Sequence, residues 1–146
     1  MRFSPRLDYF SQDLVEDLVE GWSNLPLLNK IKQGGGSMVV RINNNLWQIQ
    51  FTYPQNPNLR MSDGRQVLGL CDNNIKTIFI ADNQSDYKTE HILCHEITHA
   101  ICFEYDIYLD YEMEEWLCNF MADHIRETVE ILDTILSETL KKAYIA

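Results

Sequence analysis

The sequence predicts an α+β fold in which a small, mostly antiparallel sheet packs on two helices, the second of them long. Three observations predict this class. Apolar and polar residues alternate in the first half of the chain, apolar residues recur at helical spacing in the second half, and turn residues separate the segments. The chain has 146 residues, 45% of them hydrophobic, which suffices for one core. We therefore expect a single domain over residues 1–146.

The first elements follow from changes in hydrophobic period. Residues 12–22 carry apolar side chains at helical spacing and predict a first helix. Three glycines at 34–36 end that pattern. Strands are predicted at 38–42 and 46–53, joined by three asparagines at 43–45, which tolerate the positive φ values of a hairpin turn.

A second pair of strands is predicted after a loop. Residues 53–64 are rich in Pro and Asn and form the predicted loop. Strands at 66–71 and 75–81 flank a turn at 72–74. The run from Thr77 to Ile80 is apolar enough to lie inside a sheet.

The last two elements are predicted helices. The first begins at Ser85 or Asp86 as N-cap, extends to about Tyr105, and is apolar nearly all round, which is typical of a buried helix. The second covers about 111–142. Its apolar stripe consists of Leu117, Met121, Ile125, Leu132 and Leu136.

Charge is concentrated in the C-terminal third of the chain. The net charge is −10, and residues 104–138 contain 11 acidic residues and one basic residue. This sign repels phosphate backbones, so we expect no nucleic-acid partner. A basic protein or peptide would be attracted, whereas the alternative is a solvated helix face that confers solubility.

Composition also bears on the compartment. No apolar run reaches the ~18 residues of a membrane span, and the first ten residues lack the apolar block of a secretory signal. We therefore expect no membrane partner and a cytoplasmic location. The four cysteines form no CxxC pair, and three fall at apolar helix positions, so we expect free, buried thiols.

The segment His95-Glu96-Ile97-Thr98-His99 carries the HExxH spacing. Two histidines four residues apart lie on one side of a helix, so both imidazoles can bind one metal ion. Glu96 lies beside that site and is suited to take a proton from metal-bound water. Because these polar side chains would be costly on an apolar helix without a partner, the motif predicts a zinc site.

A third zinc ligand is expected on the next helix. Glu115 and Asn119 are four residues apart there, so one can bind the metal while the other supports it. Antiparallel packing of the two helices would bring Glu115 to the ion. Glu112 and Glu114 are competitors that we expect on the solvated acidic face.

These residues carry a family resemblance. The run HEITHAI, followed by Glu-x-x-x-Asn-Phe-x-Ala at 115–122, resembles gluzincin-type zinc metallopeptidases, most of all the compact ImmA/IrrE-like proteins of bacteria, phages and mobile elements. The resemblance spans about 77–126. It implies a minimal zincin-like fold with His95, His99 and Glu115 as zinc ligands and Glu96 as base. The Leu-Met-Pro stretch usual in that family is absent.

Other residues near the motif have open roles. His91 shares the histidine face and is expected in solvent at the helix start, with a substrate-side or oxyanion contact as the alternative. Cys102 is expected to be a small core residue, and His124 is excluded as a ligand because it points to the opposite side. An oxyanion donor could come from Tyr105, Tyr108 or Tyr111.

The expected function is zinc-dependent hydrolysis of a peptide bond in a protein or peptide substrate, with Glu96 activating the zinc-bound water. An extended substrate could align on an edge strand, for which 77–81 is the candidate. The alternative is a non-enzymatic, acidic partner-binding or inhibitory protein with a structural or vestigial metal site. Glu96 favours the enzyme, because a structural site does not need this carboxylate.

Overall fold

The computed structural model describes residues 31–32 and 35–145, and side chains as far as Lys142. The helix predicted over 12–22 lies outside these residues. The strands are β1 (Ser37–Ile42), β2 (Asn45–Thr52), β3 (Gly69–Asp72) and β4 (Thr77–Ala81), with a short 3₁₀ turn at Pro57–Leu59 before β3. Two helices follow, α1 (Asp86–Glu104) and α2 (Tyr111–Ile145).

The four strands form one mixed sheet in the order β1-β2-β4-β3. Two pairings, β1 with β2 and β3 with β4, are antiparallel, and β2 pairs with β4 in parallel. The predicted α+β class is confirmed. The expectation that 77–81 is an edge strand is wrong, because β4 lies between β2 and β3 and all five of its residues are buried. Within the described residues, the edges of the sheet are β1 and β3.

The turn between β1 and β2 is the asparagine turn that the sequence predicts. Asn43 and Asn44 have φ values of 46° and 67°, the left-handed conformation that matches the twist of a two-residue hairpin. The side chain of Asn43 donates to the backbone oxygen of Glu104 across 2.9 Å. The turn therefore contacts the C-terminal end of α1.

The buried carboxylate of Glu104 fixes this end of α1 to the sheet. It accepts hydrogen bonds from Trp47 Nε1 at 2.9 Å and from the Asn45 side chain, and pairs with Lys76 Nζ at 2.7 Å. Burial alone would raise the pKa of Glu104, but these three donors outweigh it and lower the pKa. The C-terminal end of the helix that carries the motif is thus anchored to β2 and to Lys76.

Helix α1 packs its apolar positions on one face of the sheet. Ser85 is the N-cap, with its hydroxyl accepting from the Lys88 backbone N–H, and Tyr105 ends the helix, as predicted. The helix and strands share one buried apolar cluster, made of Ile42, Trp47, Ile49, Phe51, Ile78, Ile80, Ile92 and Ala100. The middle of α1 therefore lies against the core.

Helix α2 is 35 residues long, or about 50 Å, against about 28 Å for the 19 residues of α1. Its predicted apolar stripe is therefore covered only in its first half. Leu117, Met121 and Ile125 are half-buried, whereas Leu132 and Leu136 are half exposed. The second half of α2 therefore extends past α1. Neither described helix combines the length and hydropathy needed to cross a bilayer.

Candidate metal centre

Three histidines on successive turns of α1 each meet a polar side chain of α2. The pairs are His91 Nε2 with Asp123 Oδ1 at 2.7 Å, His95 Nδ1 with Asn119 Oδ1 at 2.9 Å, and His99 Nδ1 with Glu114 Oε2 at 2.7 Å. The partners descend in sequence as the histidines ascend, so the two helices are antiparallel. This packing sets Glu115 level with the motif.

Glu115 faces both motif histidines. Its Oε1 atom lies 2.9 Å from His99 Nε2, and its Oε2 atom lies 3.4 Å from His95 Nε2. The two imidazole rings lie edge to face with their centroids 5.0 Å apart. The structure therefore brings together the three residues that the sequence analysis selects as zinc ligands.

The Nδ1 atoms of both motif histidines already have hydrogen-bond partners on α2. Nδ1 of His95 donates to the Asn119 amide oxygen, and Nδ1 of His99 donates to the Glu114 carboxylate. Burial lowers the pKa of His95, and the nearby His99 adds to this effect, although the Glu115 carboxylate opposes it. A neutral ring with its proton on Nδ1 presents a lone pair at Nε2. These lone pairs and the Glu115 carboxylate repel one another unless a proton or a cation lies between them.

A zinc ion fits this donor set. Two imidazole nitrogens and one carboxylate are a ligand set that catalytic zinc sites use, and the Nδ1 hydrogen bonds orient the rings as metal-binding histidines require. Ligands of a tetrahedral ion with bonds of ~2.0 Å lie about 3.3 Å apart. The observed separations of 2.9 and 3.4 Å are close to that value.

Glu96 lies on the inner side of α1, where the helix meets β3. Its side chain is buried beside Gly69, and the backbone N–H of Cys71 is near enough to favour the ionised carboxylate. The pKa of Glu96 is raised to about 7, mainly by burial and also by the Glu115 carboxylate, while His99 and the Cys71 N–H oppose the rise. The carboxyl group can therefore both hold and release a proton near neutral pH.

Gly69 makes this approach of helix to strand possible. A Cβ atom at position 69 would lie 2.5 Å from Ile92 Cγ2 and 2.9 Å from Glu96 Cγ. Real side chains do not come so close, so any larger residue would displace α1 or the Glu96 side chain. The position of Glu96 thus depends on a glycine in β3.

The structure separates the competing acids of α2. Glu112 is exposed, as expected, whereas the expectation for Glu114 is wrong, because its half-buried carboxylate binds His99. From the sequence, one residue of the pair Glu115 and Asn119 is expected to support the metal site rather than bind the ion. Asn119 is in that position, since its side chain contacts His95. The sequence signal for the burial of Glu114 is its spacing of four residues from Cys118, because residues four apart share a helix face and Cys118 is buried.

Sequence reasoning also missed Cys118 as a candidate ligand. Its Sγ atom and one ring nitrogen of each motif histidine lie within 4.8 Å of one another. Cys118 is fully buried, and this burial, together with the nearby Glu115, raises the pKa of its thiol. All four cysteines are free, as expected. The available signal was the spacing of three residues between Glu115 and Cys118, which places both on one helix face.

The other residues considered in the sequence analysis have varied surroundings. His91 is not simply solvated, since it pairs with Asp123. Cys102 is buried, as expected. The exposed His124 packs its ring against Phe120, with 4.8 Å between centroids, and makes no described contact with the motif. The three tyrosines considered as oxyanion donors are exposed, and that role stays a prediction.

No protein-family model, curated protein or solved structure matches this chain. The resemblance to ImmA/IrrE-like metallopeptidases therefore depends on the run HEITHAI at 95–101 and the residues at 115–122, within a span of about 77–126, and it stays a prediction.

Proposed function

We propose that this protein is a zinc-dependent peptidase of the ImmA/IrrE-like type, with His95, His99 and Glu115 as ligands of the ion and Glu96 as general base. The observation that carries the proposal is the convergence of both Nε2 atoms on Glu115, at 2.9 and 3.4 Å, beside a buried carboxyl group. The donor set suits zinc, and the extra carboxyl is the group that a purely structural site lacks.

Each side chain has a distinct task in this proposal. Zinc, when bound, supplies a Lewis acid that polarises the scissile carbonyl and acidifies a water molecule. Glu96 accepts the proton of the attacking water and transfers it to the leaving amine, for which a pKa of about 7 is well suited. Asn119 and Glu114 hold the two imidazole rings in position through their Nδ1 atoms.

We propose β3, rather than β4, as the strand along which an extended substrate aligns. The backbone N–H of Ala81 donates to the backbone oxygen of Leu68. In an antiparallel pair the direction alternates, so the backbone N–H and C=O groups of Leu68 and Leu70 face β4. Gly69 and Cys71 therefore direct their backbone groups to the free edge of the sheet. Glu96 lies against Gly69, and the Cys71 N–H is near enough to lower its pKa, so this edge borders the proposed catalytic group.

The expected substrate is a protein or peptide, and its chemistry follows from charge. Exposed acids of α2, such as Glu127 and Glu130, would attract a basic segment. Four free thiols suit a reducing compartment, so we propose the cytoplasm as the site of action. The competing proposal is an acidic partner-binding protein with a structural metal site. Cys118 is the observation behind that alternative, since a site in which Cys118 and Glu115 both stay bound has four protein ligands and no open position.

The test of the proposed function is Glu96→Gln in the full chain, assayed on a library of fluorogenic peptides with basic and neutral sequences. The amide keeps the shape of the side chain but cannot take a proton, so hydrolysis should fall by ~10²-fold or more while zinc stays bound. Glu112→Gln is the matched control, because it removes an exposed acid of α2. Turnover close to that of the unmodified chain would remove Glu96 from the mechanism. No hydrolysis in zinc-loaded protein would favour the binding protein.

A further inference from the structure

Cys118 is a potential donor that the proposed mechanism leaves unused. Its Sγ atom and one ring nitrogen each of His95 and His99 lie within 4.8 Å of one another. Donors on one tetrahedral ion, with bonds of ~2.0 Å to nitrogen and ~2.3 Å to sulfur, lie about 3.3–3.6 Å apart. Side-chain shifts of about 1 Å therefore complete a three-donor set.

Cys118 and Glu115 approach this position from different sides. Cys118 is 0% exposed, whereas the side chain of Glu115 is 31% exposed. The thiol therefore lies on the protein side of the centre and the carboxylate on the solvent side. Water competes with the carboxylate for the ion but does not reach the sulfur atom.

A cysteine thiolate is chemically well suited to bind zinc. Sulfur from cysteine is a preferred ligand for zinc and for other borderline or soft ions, and zinc enzymes use thiolate ligands at catalytic as well as structural sites. Another buried cysteine, Cys102, lies three residues after His99, but it does not belong to the described donor group. The position of Cys118, rather than burial alone, distinguishes it.

We propose that Cys118 is a ligand of the zinc ion, binding it from the buried side together with His95 and His99, and that Glu115 is the exchangeable ligand on the exposed side. This inference rests on the proposed zinc site. The thiol loses its proton to solvent as the metal–sulfur bond forms. Two imidazoles and one thiolate would keep the ion in place when Glu115 moves away. The coordination position that hydrolysis requires then becomes free without loss of the metal.

The test uses cobalt(II) alone as the probe, added to the metal-free full chain. A cysteine ligand gives an intense thiolate-to-cobalt charge-transfer band in the near ultraviolet, which nitrogen and oxygen ligands do not give. We expect this band in the unmodified chain and in Cys102→Ser, and its loss in Cys118→Ser. Glu115→Gln should retain both the cobalt and the band. Circular dichroism of each variant verifies that the helices are intact.

The possible outcomes separate this inference from the proposed function. Cobalt uptake without the charge-transfer band, or a band that persists in Cys118→Ser, overturns the role of Cys118 and leaves the zinc peptidase in place. No cobalt uptake by the unmodified chain overturns both. If Cys118→Ser does not fold, X-ray absorption at the zinc edge of the unmodified chain decides, since a zinc–sulfur distance of ~2.3 Å requires a thiolate ligand.

Discussion

His99 lies between two consecutive glutamates of α2. Its Nδ1 atom donates to Glu114 Oε2 across 2.7 Å, and its Nε2 atom lies 2.9 Å from Glu115 Oε1. One carboxylate therefore orients the ring, and the other meets the nitrogen that would bind a metal. This arrangement gives the two neighbouring acids different tasks, and mutation can separate them.

Replacing Glu114 by Gln should weaken zinc binding by about 10–100-fold, the usual effect of removing a partner that orients a metal-binding histidine. The amide can still accept a hydrogen bond, but it lacks the charge that makes the ring more basic. Competition with a chromophoric chelator measures the affinity. Glu112→Gln, two residues away and exposed, should bind zinc as the unmodified chain does. Equal affinities in the two variants would show that Glu114 does not support the site.

Zinc content should be one ion per chain, because the described donors converge on a single position. Elemental analysis of protein purified without chelators measures it, and His95→Ala or His99→Ala should lose the ion. His124→Ala is the matched control, since His124 is exposed and packs on Phe120 rather than on the motif. Metal-free protein, or equal zinc in the motif and control variants, would contradict the site.

The local part of the fold could be predicted from the sequence. The Asn43 turn and the Ser85 cap are set by side chains within a few residues of the backbone that they stabilise, so their signals are visible in the chain. The place of β4 was not predictable in this way. β2 pairs with β4 and not with β3, the strand that follows it in the chain. The hydrophobic period of a strand does not specify which strands lie beside it.

The same distinction applies to the site. His95 and His99 share one helix, so their spacing alone fixes their relative position. The partners on α2 depend on how that helix is rotated about its axis when it packs on α1. Glu114, Glu115 and Cys118 all lie within reach of the histidines in the structure, and spacing alone could not rank them.

The stability of the metal-free protein should fall with pH because of Glu96. Its pKa of about 7 in the folded chain exceeds the ordinary value of 4.5, so folding favours the protonated carboxyl group. That contribution is fully present below about pH 4.5 and is lost as the pH rises through about 7, with a total on the order of 3 kcal/mol. Glu96→Gln lacks the ionisation, so its unfolding free energy should exceed that of the unmodified chain increasingly from pH 5 to pH 8.

Urea unfolding of chelator-treated protein at several pH values gives this difference directly. Taking the difference between the two proteins cancels the titration of the other carboxylates. Parallel stability profiles would show that Glu96 is not a buried titrating group. Saturating zinc should reduce the difference, because a nearby cation favours the ionised carboxylate.

Gly69→Ala should destabilise the protein by about 1–3 kcal/mol and also reduce hydrolysis, because the new Cβ atom would lie 2.5 Å from Ile92 Cγ2 and 3.0 Å from Glu96 Oε1. Denaturant unfolding measures the loss. The Ile92→Ala background is the control: it removes the nearer clash, so the cost of Gly69→Ala should be smaller there, with a coupling energy of about 0.5 kcal/mol or more. If the losses of unfolding free energy in the two variants are additive, α1 and β3 are not in close contact at Gly69. Full activity in Gly69→Ala would show that the position of Glu96 does not depend on this glycine.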